Sequence, residues 1–160
     1  MSNLIELAIR HGFHNASIID VEQLTFVPEY RRYCEENLCG QYGKNPACPP
    51  ASGTVEEMAD RCRKYSKALV LQLASDCSPS DDLATKTEKH RMNLMTEELV
   101  KDMNSEGFAD TMIMSAGPFK NNSCMSAYCV DAQKMADAAG IPCWVDLYVD
   151  PSHLTPHARP

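Results

Sequence analysis

Three cysteines fall within one short stretch, Cys34, Cys39 and Cys48 in the run CEENLCGQYGKNPACPP, with the spacing C-x4-C-x8-C. Thiolates this close in sequence converge only where the backbone loops around a common centre. The available centres are a disulfide, a zinc ion or an iron-sulfur cluster. The run also holds Gly40 and Gly43, which permit unusual backbone dihedrals and let backbone amides point at cluster sulfurs, together with Pro46, Pro49 and Pro50.

Which centre is favoured depends on compartment. The first residues, MSNLIELAIRHGF, interrupt their apolar run with charges, unlike a secretory signal. No segment approaches the roughly 18 apolar residues of a membrane span. The chain is therefore expected to be cytoplasmic, where eight cysteines are thiols or metal ligands rather than disulfides. A formal net charge of −7 argues against nucleic acid as a partner. The basic residues Arg31, Arg32, Arg61, Arg63, Lys64 and Lys67 read as a solvated face, with a docking patch for an anionic ligand or acidic partner as the other reading.

At 160 residues the chain fits one domain able to bury roughly 70% of its unfolded surface. Leu4, Ile5, Ala8 and Ile9 share a helical face that stops at Gly12. Residues 17–27 are rich in β-branched side chains and predict a strand, and the cysteine loop follows it. Thr54 and Glu57 form a capping box for a helix carrying Val55, Met58, Cys62 and Tyr65. A strand is predicted over 68–74, then a turn over 75–82. A long helix follows, with Met92, Met95, Leu99 and Met103 as a core-facing stripe that ends before Gly107. A third strand is expected over 111–117, a helix over 130–139 closed by Gly140, and a fourth strand over 143–149.

This alternation predicts an α/β fold, one domain over residues 1–150, with about four strands in a mixed or parallel sheet, flanking helices and a cysteine-rich loop at one end. Residues 151–160, rich in proline, read as an irregular tail.

Three thiolates leave a fourth position on a tetrahedral ion or cubane cluster. The candidates to fill it are Cys124 and Cys129, which repeat the C-x4-C spacing after the third strand. Zinc sites favour short C-x2-C pairs or histidine, so the wider spacing points toward iron-sulfur ligation. Cys62 and Cys143 sit in phase with apolar neighbours and read as core, whereas Cys77 lies in a polar turn. His153 and His157 are flanked by prolines that oppose a helix, and His90 lies off the methionine stripe. No nucleophile elbow, Walker loop or dinucleotide fingerprint is present.

The pattern C-x4-C-x2-Y-G-x4-C-P-P in this run resembles that of a cysteine-rich prokaryotic domain of unknown function described as a predicted metal-binding protein. The resemblance extends through Arg31 or Arg32, the following helix, His90 and Arg91, the AGP at 116–118 and KMADAAGI at 134–141. It implies an iron-sulfur centre. Family members carry a second cysteine group directly after the glycine-proline. Here Phe119, Asn122 and Met125 stand at those positions and only the displaced Cys124 and Cys129 remain, which implies one centre shared between the two loops.

The first functional expectation is an iron-sulfur protein in electron transfer or redox sensing, its acidic surface docking a basic redox partner protein. The alternatives are a structural zinc or metal-trafficking module, and a metal-dependent enzyme. In the enzyme, an open coordination position binds a small-molecule ligand or a low-pKa thiolate such as Cys48 attacks one.

Overall fold

Residues Asn15–Asp20 (β1) and Lys67–Gln72 (β2) pair antiparallel, Asn15 opposite Gln72 and Asp20 opposite Lys67. This computed structural model describes residues 2–78, 80–119 and 123–142. Just past the last strand pair, the Val21 amide donates to the Ser66 carbonyl at 3.0 Å. The excursion over 21–66, which contains the cysteine run, therefore leaves and re-enters at one end of the ladder. A crossover helix would carry the chain back to the start of the first strand and make the pair parallel. An excursion closed at the strand end forces β2 to run back, and the mixed or parallel four-stranded sheet expected from sequence is not what the described residues form.

Successive side chains of each strand point to opposite faces, so the ladder buries both. On one face Ala16, Ile18, Leu69 and Leu71 pack with Leu4, Leu7 and Ala8 of α1 (Ser2–Arg10). Phe13, Leu99 and Met103 complete this core, with Met92 and Met95 against it. The methionine stripe of one long helix therefore packs inward as expected, and the buried face of α1 is centred on Leu7 rather than on Ile9, which is 46% exposed. Gly12 ends α1 with φ of 101°. Its amide bonds the Ile9 carbonyl at 3.0 Å and the Phe13 amide reaches Ala8 at 3.3 Å, a left-handed cap that needs glycine and folds Phe13 back into the core.

After the single short turn α2 (Arg31–Glu35) comes α3 (Val55–Arg63), whose Met58 and Cys62 meet Ile19 and Val70 on the opposite face. Both bonds of the capping box of α3 are present, Glu57 amide to Thr54 Oγ1 at 3.1 Å and Thr54 amide to Glu57 Oε2 at 2.9 Å. The methionine-striped helix is α4 (Asp82–Ser105), and α5 (Ala132–Ala139) closes on Gly140. Five helices and short strands thus give mixed helix and strand content among the described residues, and none of those helices is long and apolar enough to cross a membrane.

The strand expected over 111–117 shortens to β3 (Met114–Ser115), paired parallel with β4 (Ser123–Cys124). The buried Asn93 of α4 accepts from the Ala116 amide at 3.0 Å and donates to its carbonyl at 3.4 Å. A side chain that takes both backbone groups of a residue leaves neither for a ladder. The expected strand over 143–149, with Cys143, His153, His157 and the tail, lies outside the described residues.

Candidate metal centre

The cysteine run is a chain of local turns, each closed by its own hydrogen bonds. Cys34 sits in α2, and its carbonyl accepts from the Asn37 amide at 3.0 Å. Asn37 has φ of 56°, a left-handed conformation that asparagine tolerates. Its carbonyl takes the Gly40 amide at 3.0 Å and its Oδ1 takes the Tyr42 amide at 3.0 Å, which fixes the turn that carries Cys39. Asn45 repeats the device: Oδ1 accepts from Ala47 at 2.9 Å and the carbonyl from Cys48 at 2.9 Å. The Gly43 amide closes the second turn on Pro49 at 2.9 Å.

The second cysteine segment is brought to this loop by backbone contacts on two sides. The Cys124 amide donates to the Ala47 carbonyl at 3.4 Å. Residues 25–27 and 129–131 run side by side, with the Val27 amide on the Cys129 carbonyl at 2.7 Å, the Asp131 amide on Thr25 at 2.8 Å and a bridge between Phe26 and Val130. Between them a 3-10 turn, Met125–Tyr128, ends at Cys129 in a left-handed conformation with φ of 57°.

The thiols differ in environment. Cys48, Cys124 and Cys129 are buried, Cys34 is half-buried, and Cys39 is exposed beside Leu38, which is 83% exposed. Burial pushes the Cys48 thiol up to about 11, and the neighbouring Cys124, Cys39 and Cys34 thiols add to the effect. Burial also raises Cys34, with Cys124 and Cys129 adding to it, Arg31 opposing and Cys39 making a smaller contribution. Cys129 is raised by burial against a hydrogen bond and charge from Arg31. Cys34 and Cys48 therefore lie within electrostatic reach of each other and of Cys39 and Cys124.

That reach is longer than a coordination bond. Among the described residues no group of three or more His, Cys, Asp or Glu side chains is closed to metal-holding distance. On a tetrahedral zinc with Zn–S of about 2.3 Å the sulfurs stand about 3.8 Å apart. The thiols form a neighbourhood that, among the described residues, is not drawn in to a formed site. The donor set itself, all sulfur and drawn from two segments, fits zinc or an iron-sulfur cluster.

Cys62 lies apart from this group. Its thiol is raised by burial and lowered by Arg63, with no other cysteine acting on it, and it packs in the core beside Met58 and Tyr128. Cys77 is half-buried in the turn before α4, its amide on Ser75 Oγ at 3.2 Å. His90 lies edge-on to Phe119 with ring centroids 5.4 Å apart. A Cys48 thiol held near 11 is protonated at neutral pH, the opposite of the low-pKa thiolate that a nucleophile needs.

Of the basic residues, Arg32, Arg63, Lys64 and Lys67 are exposed, whereas Arg31 and Arg61 are half-buried. Arg31 reaches inward to the Gly53 carbonyl at 2.8 Å and the Ala127 carbonyl at 2.9 Å, Arg61 bonds the Ser52 carbonyl, Arg63 pairs with Asp60 at 3.0 Å, and Lys67 pairs with Asp20. Sequence reading did not single out Arg31, Asn37, Asn45 or Asn93 for these tasks. Only the asparagines inside the glycine-rich run carried a local signal, as residues that favour turns.

Residues 17–124 match the family described as "Predicted metal-binding protein" (DUF2284). This span takes in more than half of the chain, and the protein belongs to that family. The match contains Cys34, Cys39, Cys48 and Cys124 and stops short of Cys129. No curated protein and no solved structure matches the chain.

Proposed function

We propose that this protein holds one metal centre on Cys34, Cys39, Cys48 and Cys124, and that the centre is an iron-sulfur cluster used in electron transfer or redox sensing in the cytoplasm. The observation that carries the reading is that the segment of Cys124 meets the loop of Cys34, Cys39 and Cys48, with the Cys124 amide on the carbonyl of Ala47, the residue before Cys48. Four cysteines complete the ligand set of either a cubane or a tetrahedral ion. The wide C-x4-C-x8-C spacing supports the cluster over zinc. A bound cluster supplies one-electron chemistry, and the chain's part is to exclude water from Cys48 and Cys124 while leaving Cys39 at the surface.

The exposed Cys39 edge supports exchange of electrons with a partner protein, and a net charge of −7 favours a basic one. Cys129, whose thiol shares the Ala127 carbonyl with Arg31, is assigned to the outer surroundings of the centre. A structural zinc or metal-trafficking module is the second reading, supported by the same four-thiol donor set. Anaerobic purification followed by a visible spectrum and assay of iron and acid-labile sulfide decides between them. Brown protein with iron and sulfide near one to one is expected. Colourless protein with one zinc establishes the second reading, and no metal after reconstitution overturns both.

A further inference from the structure

Arg31 is a half-buried cation without a carboxylate partner among the described residues. Its guanidinium donates from Nη1 to the Gly53 carbonyl at 2.8 Å and from Nη2 to the Ala127 carbonyl at 2.9 Å, with Met58 Sδ at 3.2 Å. These contacts join α2, which carries Cys34, to the entry to α3 and to the turn 125–128 that lies between Cys124 and Cys129. Among the described residues Arg31 forms no ion pair with Asp or Glu. Its Nε is buried with no hydrogen-bond partner among them.

Backbone carbonyls satisfy donors but carry no net charge. A guanidinium removed from water needs a counter-charge, because desolvating an isolated ion costs far more than neutral hydrogen bonds return. The acidic groups beside Arg31 are sulfurs: its Nη2 and the Cys129 thiol share the Ala127 carbonyl, at 2.9 and 3.7 Å, and Cys34 follows it within α2. A centre with four thiolates brings an excess of negative charge to the same place. Metal ligation requires thiolates, so the cation has its complement in the ligated form.

We propose that Arg31 is the positioning residue of the metal centre, a fixed positive charge clamped between Gly53 and Ala127 that offsets the thiolates of the loop. The proposal rests on the reading of the four cysteines as one centre. It separates two tasks of the side chain: the fork to two carbonyls fixes its place, and its charge holds the ligated form. Lys keeps the charge and can reach one carbonyl, whereas Gln keeps hydrogen-bonding capacity without charge.

The test uses the full chain carrying whichever metal it is found to hold, and measures release of that metal to a chelator from wild type, Arg31→Gln and Arg31→Lys, with thermal unfolding of each metal-free protein as control. Arg31→Gln is expected to release metal at least about tenfold faster, the scale on which groups outside the ligand set act. Arg31→Lys is expected to stay within about threefold of wild type. A purely structural clamp would fail alike in both variants. Equal loss in Arg31→Lys and Arg31→Gln, or unchanged release from Arg31→Gln, overturns the proposal while the metal reading stands. If Arg31→Gln does not fold, Arg31→Lys alone decides, since metal loss beyond threefold overturns the role of charge. A wild-type protein that binds no metal removes the reading and the role of Arg31 together.

Discussion

Cys124 donates its backbone amide to the carbonyl of Ala47 at 3.4 Å, the residue immediately before Cys48. Ala47, Cys48 and Cys124 are all buried there. Two cysteines far apart in sequence are thus brought together by backbone rather than side-chain geometry. Replacing either thiol should leave this contact in place, so ligand substitutions can be read without unfolding the site.

Substituting Cys34, Cys39, Cys48 or Cys124 by Ser should each reduce bound metal to a small fraction of wild type. Cys62→Ala should retain it and lose on the order of 1 kcal/mol of stability, a modest core truncation. Metal analysis with thermal unfolding checks both. Metal loss from Cys62→Ala equal to that from Cys39→Ser would refute the separation of core thiol from ligand.

Metal binding should release protons. Cys48 and Cys34 are held above the ordinary thiol range by burial and so enter the site protonated at neutral pH. Ligation needs thiolates, so adding zinc to metal-free protein in weak buffer at pH 7 should acidify the solution by close to four protons per site. Proton release from the four Cys→Ser variants should fall with their bound metal, to a small fraction of wild type. Release of two or fewer from wild type would contradict the ligand count.

The metal-free protein should lose stability in alkali. Cys48 is pushed from 9.0 to about 11 on folding, so the native state binds the proton more tightly than the unfolded chain. That contribution is fully present below pH 9 and disappears as pH rises through 11, on the order of 2 kcal/mol. Denaturant midpoints from pH 8 to 11 should fall for wild type and flatten for Cys48→Ala. The same slope in both proteins would show that another group controls it.

Asn93→Ala should destabilise by about 1–3 kcal/mol, because it removes both hydrogen bonds to Ala116 and leaves a backbone amide without its acceptor. Since Ser115 pairs with Cys124, metal should also leave this variant faster. Equilibrium unfolding together with chelator release measures the two effects, and an unchanged unfolding midpoint would show that Asn93 does not anchor the strand.

Local chemistry was legible in the sequence wherever a signal and its partner lie within one turn or one helix. The capping box of Thr54 and Glu57, the glycine that ends α1, the inward stripe from Met92 to Met103 and the core position of Cys62 all follow from spacing, because a helix fixes which neighbours meet. The cysteine run announced thiol chemistry for the same reason. Strand direction was not encoded locally: β1 and β2 run antiparallel because the excursion over 21–66 closes at Val21 and Ser66, a matter of where a long loop returns. The end of β3 depends on Asn93 arriving from another helix, and the inward turn of Arg31 depends on the Gly53 and Ala127 carbonyls arriving from distant segments. Which residues carry the thiols is a property of the chain, whereas which of them share a field, and with which cation, was decided only when distant segments packed.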